Sequence, residues 1–261
     1  MSEWRLGVVG SPIEHSLSPA LHEAGLLAYG LSGHSEKVEV GAGETARLRS
    51  LLGSSFDALS VTMPLKGDAL EVADHVEPSA RECGSANSLL LRDGEIYANS
   101  TDGEGFIAAL RAEWNLNGDG AHVVVLGAGG AASAIVSALV HAGVSSIALH
   151  GRSEERVNRL VARYPNVVDH MVIYRPVELI VNTIPVGSRI ATAAVMQGVT
   201  HDTAAVDIAY EPRETEWMSQ HLALGCRVVN GLPMLAHQAA AQMRWWWGGD
   251  LTGADLLEVI R

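Results

Sequence analysis

The sequence predicts a two-domain α/β protein. Short runs of aliphatic and β-branched residues alternate with amphipathic helical stretches, an order typical of sheets with parallel strands. A polar stretch at residues 115–120 separates two such series. The chain has 261 residues, of which 48% are apolar and 18% charged, enough to bury one or two cores. The same composition argues against intrinsic disorder.

In the first series, several residues mark where helices, strands and turns begin or end. Ser18 and Pro19 suit an N-cap and a first helical position, Pro64 closes a strand, and Asp93-Gly94 marks a tight hairpin. The predicted strands are residues 5–9, 37–40, 58–62, 87–92 and 95–98. The predicted helices are residues 20–28, 44–52 and 103–114, with another after Lys66.

The second series begins at residue 122. Its predicted strands are residues 122–126, 146–150, 179–183, 204–208 and 227–229. Its predicted helices are residues 131–142, 154–163 and 233–246, and Thr252 can cap a last helix. The run Trp245-Trp246-Trp247 points its three indoles in different directions around a helix, so all three cannot face one core. We interpret it as a packing element, and an aromatic ligand platform is the alternative.

Charge and composition exclude several classes of function. The 30 acidic and 18 basic side chains give a formal net charge of −12, which disfavours nucleic acid as a partner. No apolar run approaches the ~18 residues of a membrane span, and the first residues do not have the pattern of a secretory signal. The 2 cysteines give neither a disulfide framework nor a metal-binding spacing, so we expect a cytoplasmic protein. The 11 histidines form no ligand motif, and we expect no metal.

The most specific local signal follows the strand at residues 122–126. It is the run GAGGAA, a G-x-G-x-x-A pattern that opens a helix of small residues. Gly127 permits a tight turn, Gly129 lets the backbone approach a pyrophosphate, and Ala132 lets helix and strand pack closely. The turn therefore predicts a dinucleotide site, with a tight turn that binds no ligand as the alternative. The candidate cofactor residues here are Gly127, Ala128, Gly129, Gly130 and Ala131.

The end of the next strand favours NADP over NAD. An NAD site usually carries an acidic residue about 20 residues after the glycines, where it binds the ribose 2′-hydroxyl. Here the strand ends in His-Gly-Arg-Ser, which adds Arg152, Ser153 and Arg156 to the candidate site. A guanidinium can bind a 2′-phosphate with two hydrogen bonds. The alternative is that the arginines pair with Glu154 or Glu155 on a solvated face.

Three polar segments in the first 102 residues are candidates for a second ligand site. They contain Ser16 and Ser18 at a helix start, Thr62 and Lys66 after a buried strand, and Asn87 with Asp102 around the hairpin. A helix start favours an anion. Each residue also has a plain alternative, since Ser18 can be a helix cap, Lys66 a solvated lysine and Asp102 an N-cap.

Together these segments resemble the shikimate dehydrogenase family. The resemblance runs in order through SPI (11–13), SLSP (16–19), VTMPLK (61–66), GSANSL (84–89), TDGEGF (101–106) and GAGGAA (127–132). It continues through NTIPVG (182–187), DIAYEP (207–212) and GLPMLAHQ (231–238), so it spans nearly the whole chain. It implies an NADP-dependent oxidoreductase that reversibly reduces 3-dehydroshikimate to shikimate on the route to chorismate and the aromatic amino acids.

The resemblance also implies a discontinuous fold and a set of site residues. Residues 1–101 and 237–261 would form an α/β substrate-binding domain, and residues 102–236 a Rossmann-like NADP-binding domain. Lys66 and Asp102 would be catalytic. Substrate would be bound by Ser16, Ser18, Thr62, Asn87, Tyr210 and Gln238, with the serines on its carboxylate. Ile208 and Gly231 would lie near the nicotinamide, and the chain would act as a monomer or homodimer.

Departures from the family pattern leave the substrate more open than the reaction. The family usually has asparagine where this chain has Ser60 and Ser100, and Asn-Arg-Thr where it has Gly151-Arg152-Ser153. Losing two amides near the substrate can change which ring substituents are accepted. A quinate or aminoshikimate dehydrogenase using NAD or NADP is therefore an alternative. A non-catalytic NADP-sensing protein is a second one, which the presence of both Lys66 and Asp102 disfavours.

Overall fold

The chain folds into two compact units. The computed structural model describes residues 3–170, 176–188 and 198–261. Unit 1 comprises Met1–Ala109 and Pro233–Arg261, and unit 2 comprises Leu110–Leu232. The predicted two-domain α/β class is confirmed. The units divide after residues 109 and 232 rather than after 101 and 236, because the start of the helix at Asp102 packs on the segment around Gln238. A Cβ on Gly105 would lie 2.5 Å from the Gln238 backbone nitrogen.

Unit 1 contains a six-stranded mixed sheet in the order β2-β1-β3-β5-β6-β4. Its strands are β1 (Trp4–Gly10), β2 (Gly33–Glu39), β3 (Ala58–Val61), β4 (His75–Val76), β5 (Ser88–Arg92) and β6 (Glu95–Asn99). Strand β1 runs parallel to β2 and β3, whereas β5 is antiparallel to β3 and β6. The predicted hairpin at Asp93-Gly94 is confirmed, and Asp93 and Gly94 both have positive φ. The second strand begins four residues before the predicted start, at Gly33.

The helices of unit 1 flank the chemistry-bearing loops. They are α1 (Ser18–Ala28), α2 (Thr45–Ser54), α3 (Asp68–Glu71), α4 (Pro78–Cys83), α5 (Asp102–Trp114), α9 (Leu232–Trp247) and α10 (Gly253–Ile260). Helix α5 ends in unit 2. The predicted cap at Ser18 is wrong, because Ser18 is already helical and Leu17 occupies the cap position without a side-chain bond. Thr252 caps α10 as predicted, with Asp255 completing a reciprocal capping box.

The three consecutive tryptophans belong to the end of α9 and pack inside unit 1. Trp246 is buried and donates its indole N–H to Ser88 Oγ at 2.9 Å. The Trp247 ring meets Trp4 and Tyr29 edge to face, at centroid distances of 5.7 and 5.5 Å. Edge-to-face contacts of this kind stabilise aromatic clusters. Packing is therefore the correct interpretation for Trp246 and Trp247.

Unit 2 contains a six-stranded parallel sheet in the order β12-β11-β10-β7-β8-β9. Its strands are β7 (His122–Leu126), β8 (Ser146–His150), β9 (Val168–Asp169), β10 (Leu179–Asn182), β11 (Ala204–Asp207) and β12 (Arg227–Val229), and its own helices are α6 (Gly130–His141), α7 (Glu154–Arg163) and α8 (Glu216–Ala223). If β7 to β12 are numbered 1 to 6, the order read from β9 is 3-2-1-4-5-6. This is the strand order of dinucleotide-binding sheets. The strand order reverses between β7 and β10, which is where ligands bind in such sheets.

Four short elements were not predicted: β4, α4, β9 and α8. Two-residue strands carry no periodicity of their own, and their pairing with β6 and β8 fixes them. In the described part of the chain no helix is long and apolar enough to cross a membrane.

Candidate active site

A lysine and an aspartate from separate elements of unit 1 form a close ion pair. Lys66 lies in the loop after β3, and Asp102 is the first residue of α5. Lys66 Nζ is 2.5 Å from Asp102 Oδ2, and the two side chains are only 15% and 5% exposed. The start of α5 also favours the negative charge of Asp102. Lys66 is therefore not the solvated surface lysine that the plain interpretation allowed.

Asn87 connects this pair to the rest of unit 1. The residue is buried directly before β5. Its Nδ2 lies 3.1 Å from Asp102 Oδ1, 2.9 Å from Thr101 Oγ1 and 2.8 Å from Gln238 Oε1. Its Oδ1 accepts the Thr101 backbone N–H at 2.8 Å. The amide orientation of Asn87 is thereby fixed, since only its nitrogen can donate to these oxygens.

Gln238 reaches the same cluster from α9. Its Oε1 accepts from Asn87, its Nε2 donates to the Leu235 carbonyl at 3.0 Å, and its own carbonyl accepts from Thr101 Oγ1 at 3.0 Å. Of the predicted site residues, the structure joins Lys66, Asp102, Asn87 and Gln238 into one hydrogen-bonded group. Thr101 belongs to this group but was not predicted, although it stands in the polar Ser-Thr-Asp segment that the sequence singled out.

The other predicted substrate residues of unit 1 lie at the carboxyl edge of its sheet. Ser16 precedes α1, and its Oγ accepts the Ser18 backbone N–H at 3.3 Å. Thr62 follows β3 and donates its backbone N–H to Val9 O at 2.9 Å. The Ser11 N–H donates to Met63 O at 2.9 Å, so the loops after β1 and β3 are joined. Among the described residues, no hydrogen bond links Ser16, Ser18 or Thr62 to the Lys66–Asp102 pair.

The glycine turn of unit 2 lies between β7 and α6, at the point where the strand order reverses. Gly127 has a φ of +115°, and a Cβ there would lie 2.1 Å from Thr183 Oγ1, so the fold itself requires glycine. A Cβ on Gly129 would meet nothing within 4 Å. Packing in the protein therefore does not explain Gly129, whereas a phosphate resting on the backbone does.

The start of α6 presents backbone N–H groups for such an anion. The helix begins at Gly130, and no side chain caps it. Ala128 and Ala131 complete the turn, and Ala132 is fully buried, as close packing of helix on strand requires. The Gly127 N–H donates to His150 O at 2.6 Å, which holds the turn beside the end of β8. These residues fit the diphosphate of a dinucleotide.

Two cationic side chains follow β8. Arg152 and Arg156 are exposed, and among the described residues neither pairs with a carboxylate. Glu155 pairs instead with Arg159, at 2.6 Å. Ser153 caps α7 by accepting the Arg156 backbone N–H at 3.4 Å. The proposed pairing of Arg152 and Arg156 with Glu154 or Glu155 is thus not observed, and both guanidinium groups remain available for an anion.

The remaining predicted residues lie in two loops: Ile208 and Tyr210 follow β11, and Gly231 follows β12. Asp207 accepts from Thr215 Oγ1 at 2.7 Å and from the Ala209 N–H at 3.1 Å. Burial raises the pKa of Asp207, and these hydrogen bonds oppose the rise. A Cβ on Gly231 would lie 2.0 Å from Ile208 O, so this close approach requires glycine. Ile208 and Gly231 are therefore neighbours, as their shared predicted position implies, and the half-buried Tyr210 follows in the loop of Ile208.

In the described part of the chain, no three His, Cys, Asp or Glu side chains are placed to hold a metal ion.

The parallel sheet with its glycine turn and the buried lysine–carboxylate pair define a dinucleotide-dependent oxidoreductase. Comparisons with known proteins then identify the family. Residues 8–89 match the family model "Shikimate dehydrogenase substrate binding domain", and residues 109–223 match "Shikimate / quinate 5-dehydrogenase". The chain belongs to the shikimate dehydrogenase family.

Individual relatives agree with this assignment over nearly the whole chain. The chain is 38% identical to the shikimate dehydrogenase (NADP(+)) of Roseobacter denitrificans, covering 97% of this chain and 96% of that protein. It is 38% identical to the enzyme of the same name from Cereibacter sphaeroides, covering 93% and 91%. The crystal structure of shikimate 5-dehydrogenase from Thermus thermophilus in complex with NADP(H) and shikimate has a TM-score of 0.86 and 32% identity, and covers 98% of both chains.

Proposed function

We propose that this chain is an NADP-dependent oxidoreductase that reversibly reduces 3-dehydroshikimate to shikimate, a step toward chorismate and the aromatic amino acids. The observation that carries the proposal is the Lys66–Asp102 ion pair, buried and held by Asn87. A ketone reduction needs a hydride at carbon and a proton at oxygen. The ion pair can supply the proton. The glycine turn of unit 2 supports the binding of a cofactor that supplies the hydride.

Lys66 stabilises the oxygen of the reacting carbonyl. One of its three N–H groups is directed to Asp102 Oδ2, which leaves the others for an oxygen of the substrate. As negative charge develops on that oxygen, a nearby ammonium stabilises it and can pass a proton to it. Asp102 in turn orients the ammonium. Lys66 is therefore needed for turnover, without being assigned as the sole general acid.

The neighbouring side chains hold the ring in position. Asn87, Gln238 and Thr62 surround the ring and its hydroxyls, and Tyr210 is a further proposed substrate-binding residue. Ser16 and Ser18, at the start of α1, bind the carboxylate, where the helix N-terminus adds to the attraction.

NADPH, when bound, supplies the hydride. The turn from Gly127 to Ala131 would hold its diphosphate, and Ile208 and Gly231 would lie near its nicotinamide. Arg152, Ser153 and Arg156 would bind the 2′-phosphate, which would favour NADP over NAD.

The function is tested by following NADPH oxidation in the purified protein with 3-dehydroshikimate, 3-dehydroquinate and the 3-dehydro form of aminoshikimate, each with NADPH and with NADH. We expect the highest kcat/KM for 3-dehydroshikimate with NADPH. A higher value for either of the other ketones would reassign the substrate within the family. Tight NADPH binding without turnover of any ketone would support a sensor instead.

The setting of the reaction follows from the same proposal. The cysteines, Cys83 and Cys226, are both buried thiols that form no disulfide, which suits a reducing compartment such as the cytoplasm. We propose that the chain acts there as a monomer or homodimer, which sedimentation equilibrium would distinguish.

A further inference from the structure

Helix α9 contacts Asn87 at two points. Gln238 Oε1 accepts from the Asn87 side chain at 2.8 Å. One helical turn later, Gln242 donates its Nε2–H to the Asn87 main-chain carbonyl at 3.1 Å. Gln242 is 1% exposed, and the predicted site did not include it. The side chain and the backbone of Asn87 are thus held by one helix.

The backbone of Asn87 is also tied to the loop that holds Lys66. The Asn87 carbonyl accepts the Val61 N–H at 2.8 Å, directly beyond the paired residues of β3 and β5. The Ala86 N–H donates to the Lys66 carbonyl at 2.9 Å. A shift of Asn87 therefore disturbs both its own side chain and the backbone of Lys66.

Gln242 Oε1 is held by a buried chain of hydrogen bonds that runs through Ser60 and His22 to Ser35. The donors and acceptors in this chain can be assigned in one way. A carbonyl only accepts, so Gln242 Nε2 must face Asn87 and its Oε1 must face Ser60, whose hydroxyl donates at 2.6 Å. The one proton of Ser60 is then used, and Ser60 must accept from His22 Nε2, 2.8 Å away. His22 Nδ1, at 2.7 Å from Ser35 Oγ, is left to accept from that hydroxyl.

Nδ1 can accept only in a neutral His22, and the surroundings of the ring favour that form. The ring is fully buried, and burial lowers its pKa to about 3. The chain from Ser35 to Asn87 therefore has one arrangement of protons, and it prevents the Gln242 amide from turning over.

We propose that Gln242, supported by Ser60 and His22, is a positioning residue that fixes Asn87 and through it the Lys66–Asp102 pair. The inference rests on the function proposed above. Gln242 acts by placing groups that contact the substrate. Misplacement of reacting groups by about 1 Å can cost ~100-fold in rate, so a loosened Asn87 lowers kcat.

The variant Gln242→Met tests this, because methionine has a similar length and no hydrogen-bonding amide. We expect kcat with 3-dehydroshikimate to fall about 10-fold, while KM for NADPH stays within about 2-fold of its value in the unsubstituted chain. Trp246→Phe is the matched control. It removes a buried hydrogen bond from the same helix to Ser88, the residue next to Asn87, so kcat should stay within about 2-fold while stability falls.

A double-mutant cycle separates positioning from a general loss of stability. If Gln242 acts through Asn87, Gln242→Met should lower kcat by less than about 2-fold in an Asn87→Ala background. Ser60→Ala alone should lower kcat about 3-fold, and it too should have less than about a 2-fold effect in the Asn87→Ala background. This variant decides the question if Gln242→Met does not fold. Unchanged kcat in the single variants, or fully multiplicative effects in the cycle, would overturn the inference.

The two proposals fail in different ways. If Lys66→Ala and Asn87→Ala keep the turnover of the unsubstituted chain, the proposed active site is wrong. If both lose turnover and Gln242→Met keeps it, the active site stands and only the positioning role is lost.

Discussion

Lys66 is one of two lysines in the sequence, and the other, Lys37, provides a matched comparison. Lys66 is largely buried against Asp102, whereas Lys37 is bonded at the surface to the Glu14 carbonyl. Lys66→Ala should lower kcat by several hundred-fold with KM nearly unchanged, because the interaction is made chiefly in the transition state. Steady-state kinetics with 3-dehydroshikimate would show this, and Lys37→Ala should keep kcat within about 2-fold. Unreduced turnover in Lys66→Ala would remove this residue from the mechanism.

The buried His22 makes stability depend on pH. Its pKa lies near 3 in the folded protein, against an ordinary value of 6.5. Between these values the unfolded chain binds a proton that the folded protein does not, so stability is present above about pH 6.5 and falls as the pH drops toward 3. The slope from one such proton is up to ~1.4 kcal/mol per pH unit.

Urea unfolding of His22→Gln at pH 7, 6 and 5 would measure this contribution. We expect the free energy of unfolding to change less steeply with pH in the variant, by up to ~1.4 kcal/mol per unit. Burial also lowers the pKa of His150, His221 and His237, so part of the slope should remain. An identical slope in the variant and the unsubstituted chain would show that His22 titrates in the folded protein.

At the scale of elements, the proposed function assigns the preference for NADP over NAD to the start of α7. Arg152 and Arg156 have no carboxylate partner among the described residues, whereas Arg159 on the same helix is paired with Glu155. Replacing Arg152 and Arg156 together with alanine should raise KM for NADPH at least about 10-fold and leave KM for NADH nearly unchanged, since only NADPH carries the 2′-phosphate. Arg159→Ala should change neither value. Equal losses for both cofactors would place the arginines elsewhere on the nucleotide.

Local elements were predictable where a short pattern carries its own constraint. The glycine turn at residues 127–132 needs only a strand, positive φ at Gly127 and a small-residue helix, all of which lie in one stretch of sequence. The Asp93-Gly94 hairpin is equally local. Elements that form only by pairing with another part of the chain could not be predicted locally. Strand β9 is an example, because its two residues are fixed by pairing with β8.

The substrate side of the site shows the same limit. The sequence contains Lys66, Asn87, Asp102 and Gln238 as scattered polar residues, and only the resemblance to a family suggested that they meet. Gln242 had no signal beyond its spacing of four from Gln238. Its role depends on the packing of α9 against the strand after Asn87, which no local pattern specifies.

At the scale of the whole molecule, binding of NADPH should raise the stability of the folded protein. Binding to the folded state alone adds about 2.7 kcal/mol at a ligand concentration of ~100 Kd. We expect NADPH at that concentration to raise the Tm seen by differential scanning calorimetry by several degrees, and NADH at the same concentration to raise it less. The Arg152 and Arg156 double variant should lose most of this difference. Equal shifts with the two nucleotides would contradict the proposed NADP preference.

The position of α9 in the chain bears on how the protein is made. The residues proposed to bind the nucleotide all precede Gln238 and Gln242 in the chain. These two glutamines complete the group around Asn87 in unit 1. A nascent chain on the ribosome can therefore have every strand of both sheets and still lack the complete proposed substrate site. Assembly of that site waits for the last helices to emerge and pack back onto the amino-terminal half.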